Sequence, residues 1–156
     1  MSTRHSKPRA LKVSAFDCEK VKLSQRVNFK MIDPTTCGSK QLSFGMVIVE
    51  PRGTCEPGHI HDDQEEIFYC LSGKGVVIAD DARREIPIAP HDAVFFKPGV
   101  YHSIKNPADL PLEALWILSP GGWVFDRNPG LKKIAQDAKK AKKANKNIRT
   151  SLDRAI

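Results

Sequence analysis

The stretch at residues 53–73, GTCEPGHIHDDQEEIFYCLSG, limits what this chain can become more than any other. His59, His61 and the carboxylates Glu65 and Glu66 fall within eight positions. Histidines at i and i+2 share a face when the backbone is extended, because strand side chains alternate. Imidazole with carboxylate suits a borderline divalent cation such as Fe, Mn, Co, Ni or Zn. Asp62, Asp63 and Gln64 are neither β-branched nor apolar, so a turn follows the histidines. The chain then enters an apolar run at 67–71 and stops at Ser72-Gly73. The expectation is two short strands about a turn, with ligand-type side chains on both sides of it.

The rest of the chain reads as more of the same material. Residues 21–32 hold short apolar alternations worth one or two strands. Asp33-Pro34 and Gly38-Ser39 mark turns. Residues 42–50, LSFGMVIVE, are β-branched and apolar and predict a strand closed by Pro51-Arg52-Gly53. A hairpin is expected at residues 72–75, followed by a strand at 76–79. Residues 84–88 carry Pro87 and read as an edge strand. Further strands are expected at 93–96, 101–105 and 112–118, separated by Pro98-Gly99 and Asn106-Pro107. Many short strands punctuated by Gly and Pro predict an all-β sandwich or barrel.

Composition sets the outer limits. A chain of 156 residues is long enough for one domain with its own core. Cys18, Cys37, Cys55 and Cys70 form no C-x-x-C pair, so they read as reduced thiols rather than a zinc ribbon or redox motif. No apolar run approaches a membrane span, and no apolar region follows the basic first ten residues. The expected compartment is therefore the cytoplasm. The net charge of +7 is concentrated: residues 131–156 carry nine Lys or Arg against two Asp, and the remainder holds 16 of each sign. In that tail Leu131, Ile134, Ala138, Ala141, Asn145, Ile148 and Leu152 recur at three- and four-residue steps, which predicts a helix with a thin apolar stripe. The tail lacks interleaved aromatic residues, which argues against nucleic acid as its partner, and its stripe lacks the Trp or Phe of a membrane-surface helix. A solvated basic face is the simpler reading. The domain boundaries follow: a basic N-terminal arm at 1–20, a β-domain at 21–125, and a Lys-rich helical extension at 126–156.

Two histidines and a glutamate call for a further ligand, and His102 is the candidate. It follows a Pro-Gly turn at the start of a strand, from where it can face across a barrel toward His59 and His61. Here the chain resembles the cupin superfamily. The first motif of that family, G-x5-H-x-H-x4-E-x6-G, is matched by Gly53, His59, His61, Glu66 and Gly73. This spacing selects Glu66 over Glu65. In the second motif, G-x5-P-x-G-x2-H-x3-N, Gly99, His102 and Asn106 match, while His91 stands for the first Gly and Lys97 for the Pro. The resemblance covers about residues 42–120. It implies a jelly-roll β-barrel with His59, His61, Glu66 and His102 on one divalent metal, and often a homodimer.

Such a centre leaves positions for water, dioxygen or a chelating substrate. The expected activity is that of a small metal-dependent cupin enzyme, a dioxygenase, isomerase or lyase, acting on a hydroxylated or carboxylated metabolite. Tyr101 is the candidate proton donor beside His102, with Lys97 and Lys105 as further flanking groups. Trp116 reads as core. The alternative is a non-catalytic module that binds or senses a sugar or acid.

Overall fold

The computed structural model describes residues 10–123. Among them are nine strands: β1 (Glu19–Lys22), β2 (Arg26–Ile32), β3 (Ser43–Val49), β4 (Glu65–Ser72), β5 (Gly75–Ala79), β6 (Arg84–Ile88), β7 (Ala93–Phe96), β8 (His102–Lys105) and β9 (Leu112–Ser119). One short helix, α1 (Pro34–Cys37), joins β2 to β3. The strands form a six-stranded sheet, β1-β2-β3-β9-β4-β7, and a three-stranded sheet, β6-β5-β8. Every pairing is antiparallel. This is the all-β jelly-roll barrel expected from the sequence. The helical extension at 126–156 and residues 1–9 of the arm lie outside the described residues. The barrel lies within one compact unit of the chain.

Register decides which side chains enter the barrel. Glu66, Phe68 and Cys70 of β4 stand opposite Leu118, Trp116 and Ala114 of β9, and these in turn stand opposite Ser43, Gly45 and Val47 of β3. With Val49, Leu112 and Val77, these residues are buried and form the core. Each large apolar side chain taken fully out of water contributes about 1.5–3 kcal/mol. Glycine at 45 is required by its neighbours: a Cβ there would collide with the Trp116 ring and the Phe29 carbonyl.

Two expectations are corrected. The turn at residues 72–75 does not close a hairpin. β4 pairs with β7 and β9, whereas β5 pairs with β6 and β8, so the turn carries the chain from one sheet to the other. Gly73 makes that crossing with φ +81, pressed against the Pro111 carbonyl where a side chain would not fit. The segment expected as the first half of a strand–turn–strand site is not a ladder strand. It runs alongside β8 through isolated bridges, Thr54 to Lys105 and His59 to His102. It shares its hydrogen bonds with His102 in both directions at 3.0 Å, which fixes the two histidines side by side.

Candidate metal centre

Three stretches of chain deliver the site. The extended segment beside β8 presents His59 and His61, β4 presents Glu66, and the first residue of β8 is His102. Their ligand-type atoms all lie within 4.8 Å of one another, and His61, Glu66 and His102 are buried. The ring centroids stand 4.8 Å (His59–His61), 4.4 Å (His59–His102) and 5.3 Å (His61–His102) apart. Glu66 Oε2 is 3.1 Å from His61 Nε2 and 2.8 Å from His102 Nε2. Glu65, its neighbour, is exposed on the other face of the strand.

Orientation is set from behind. Phe96 stacks on the His102 ring at 4.3 Å and 22°. The Val100 carbonyl stands 3.0 Å from His102 Nδ1 and accepts its proton, which leaves Nε2 as the lone-pair donor. That Nε2 is buried and stands 2.8 Å from Glu66 Oε2. Gly99 donates to the His61 carbonyl at 2.8 Å, tying the turn before β8 to the histidine segment.

The electrostatics agree with a cation cradle. Burial, with His102 and His61 close by, lowers the His59 pKa to about 3, so its imidazole is neutral at pH 7. Burial acts to raise the Glu66 pKa, but the surrounding imidazoles outweigh it and hold the carboxyl at about 2. For His102, burial acts downward and the Glu66 carboxylate overrides it, raising the value. Three imidazoles and one carboxylate converge, the donor set that a borderline divalent metal prefers. The residues present therefore fit such an ion.

The other expected groups sit as follows. The Tyr101 hydroxyl donates to Glu56 Oε2 at 3.0 Å and accepts the Gly58 N–H at 2.9 Å. Arg83 lies over its ring at 3.7 Å. Lys97 and Lys105 are exposed, and Trp116 is in the core. Asn106, which the sequence marked through the motif alone, is fully buried. Its amide donates to the Val49, Glu50 and Leu110 carbonyls, and its oxygen accepts from Ala108. It pins the loop after β8 to the end of β3.

The inner face of β2 was missed. Arg26 pairs with Val49, and Asn28 with Val47, both interior positions, so these polar residues face into the barrel. Val27 and Phe29, opposite Ile48 and Met46, face outward instead. The strand alternates as expected, but in the inverse sense to a soluble sheet. The signal was the alternation R-V-N-F-K-M, which by itself does not say which side is the interior.

Residues 45–118 match the family model for the Cupin domain. An oxalate-binding protein of Thermotoga maritima is 35% identical over 68 residues, which cover 44% of this chain and 54% of that one. The chain thus spans about half the length of that relative. Among solved structures, a sugar phosphate isomerase of the cupin superfamily from Silicibacter pomeroyi superposes with a TM-score of 0.58 at 23% identity, over 70% of this chain and 75% of that one. An oxalate decarboxylase of Bacillus subtilis, a protein with Mn(II) centres, gives 0.64 at 24% identity, over 70% of this chain and 30% of that one. Among the described residues no helix is long and apolar enough to cross a membrane.

Proposed function

Given that residues 45–118 belong to the cupin domain family, we propose that the protein is a metal-dependent enzyme acting on a small carboxylated or hydroxylated metabolite. The observation that carries this reading is the convergence of His59, His61, Glu66 and His102, whose ligand-type atoms all lie within 4.8 Å of one another. A divalent cation bound by these four would polarise a carbonyl or hydroxyl oxygen and lower the pKa of bound water. Manganese is the favoured ion, by likeness to the structure that holds it.

The chain's own residues supply the remainder. Phe96 and the Val100 carbonyl keep the His102 ring in one orientation. Tyr101, next to His102 in sequence and hydrogen-bonded to Gly58 beside His59, is the proton donor in this reading. Glu56 accepts from the Tyr101 hydroxyl at 3.0 Å and holds it in place.

The test is elemental analysis of protein purified without chelators, followed by turnover on hydroxy and carboxylic acids with and without oxygen. About one metal per chain is expected, lost in His61→Ala. Removing the metal should lower Tm, because a ligand that binds the folded state alone stabilises it by about 2.7 kcal/mol at 100 times its Kd. Metal-free wild-type protein with an unchanged Tm would sink the reading. A second reading, a non-catalytic carboxylate-binding module, is favoured by the name of the Thermotoga relative. Saturable binding without turnover would select it.

A further inference from the structure

The histidine segment does not run level with β8. Between the Thr54–Lys105 and His59–His102 bridges it has four residues where β8 has two. Cys55 is still paired, donating its N–H to the Ile104 carbonyl at 2.7 Å. The extra residues therefore fall within Glu56-Pro57-Gly58, three residues set against Ser103 alone. This is a bulge, and a bulge re-aims the side chain beside it. Here that side chain is His59.

A clasp closes the bulge. Glu56 Oε2 accepts the Gly58 N–H at 3.1 Å and the Tyr101 hydroxyl at 3.0 Å, and the Tyr101 oxygen accepts the same N–H at 2.9 Å. The Glu56 N–H donates to Thr54 Oγ1 at 3.1 Å. Arg83 reaches in from the turn between β5 and β6, its guanidinium 3.7 Å over the Tyr101 ring and 3.8 Å from Glu56 Oε1. Gly58 has no room for a side chain, since a Cβ there would collide with the Tyr101 hydroxyl and the His102 carbonyl. That carbonyl accepts the His59 N–H at 3.0 Å, so a shift of Gly58 is felt at the bond joining two ligands. The other three ligands are fixed elsewhere. Glu66 lies in β4 between β7 and β9, Gly99 holds the His61 carbonyl, and Phe96 with the Val100 carbonyl orients His102. On the N-terminal side of His59 the fixings are those of the clasp.

We propose that Glu56 is a positioning residue of the metal centre: its carboxylate locks the bulge that sets His59 level with His102. This inference rests on the metal-centre reading and adds to it a residue outside the four ligands.

The test is the Mn(II) affinity measured by competition with a chelator, beside the visible absorption of Co(II)-loaded protein, whose bands follow ligand geometry. Glu56→Ala should weaken Mn(II) binding about 10–100-fold, the usual effect of losing a group that orients a ligand, and shift the Co(II) bands. Glu56→Gln keeps an oxygen for the Gly58 N–H and the Tyr101 hydroxyl, and should recover most of the affinity with the wild-type bands. A carboxylate acting only as a nearby negative charge would leave Glu56→Gln as weak as Glu56→Ala. Gly58→Ala, which displaces the bulge from its other side, should also weaken binding and shift the bands, and carries the test if Glu56→Ala fails to fold. Asp33→Asn, a stability control in the β2–β3 connection, should leave both readouts unchanged. Wild-type affinity and bands in Glu56→Ala or Gly58→Ala, a Glu56→Gln no better than Glu56→Ala, or an equal loss in Asp33→Asn would overturn the inference with the metal centre intact. Wild type that binds neither ion would instead remove the metal-centre reading, and this inference with it.

Discussion

Tyr101 is held in the scaffold by the same hydroxyl that the proposed function assigns to proton transfer. Its hydroxyl is seated against Gly58, where any Cβ would collide with it, and it is shared between the Gly58 N–H and Glu56. In Tyr101→Phe the Gly58 N–H keeps Glu56 Oε2 at 3.1 Å, so the loss of stability should be about 1 kcal/mol. If the hydroxyl also moves a proton, kcat should fall on the order of 100-fold, with metal content unchanged. Steady-state kinetics beside a denaturant melt separates the two, and an unchanged kcat would leave Tyr101 in the scaffold alone. His91 teaches a related lesson. It stands where the family resemblance expects glycine, and the structure places it at φ +77, the left-handed region that asks for one. Histidine tolerates that region better than most residues, and its Nδ1 gains the Tyr69 hydroxyl at 3.0 Å. The turn geometry survives although the residue type departs from the motif.

At the scale of elements, Asp33 does most to hold the β2–β3 connection. Its carboxylate caps α1 by accepting from Thr35 N–H at 2.8 Å, and it also accepts from the Thr35 hydroxyl at 2.7 Å and from Ser43 at 3.0 Å. Burial acts to raise its pKa, but these donors and Lys30 outweigh it, and the native value is lowered. The ionised form is the one the fold holds. Its contribution is therefore complete above the unfolded carboxylate value of about 3.9 and disappears as pH falls toward the lower native value. Asp33→Asn should cost about 1–3 kcal/mol at pH 7 and flatten the acid limb of a stability–pH curve below about pH 4. An equally steep limb in the variant would assign it to other carboxylates. The strands were legible because apolar alternation and Gly-Pro punctuation are local. The short helix left a weaker trace, Asp33 and Pro34 before it and Gly38 after it, which is a cap signature without periodicity. The false hairpin at 72–75 came from a limit of local reading. A glycine turn looks the same whether the chain returns along its own sheet or crosses to the other. The metal-type ligands were legible through spacing, whereas Arg26 and Asn28 needed register, which only long-range pairing supplies.

The barrel as a whole has an apolar exterior on its larger sheet. Outward residues line up across the strands as Phe95, Ile67, Ile117, Phe44 and Ile32, each paired with the next. The adjacent row reads Ala93, Tyr69, Leu115, Met46 and Phe29. Phe95 is 53% exposed and Ile67 39%, and β7, which carries Phe95, is an edge strand. The inner face of this sheet is the apolar core, so the sheet is apolar on both sides, and its outer face calls for a cover. We propose that the cover is a second copy of the chain, related by a two-fold axis, since one patch can then meet itself. A stable pair of this kind buries about 1,200–2,000 Å² in total, roughly 800 Å² from each copy. Sedimentation at micromolar concentration should give about twice the 17.4 kDa chain mass. Phe95→Glu places a charge at the exposed end of the longer row and should yield monomers with an unchanged far-UV spectrum. Because the outer face is on the opposite side of the sheet from Glu66, the variant should keep its metal content. A monomeric wild type, or a Phe95→Glu variant that still sediments as a pair, would overturn the assignment.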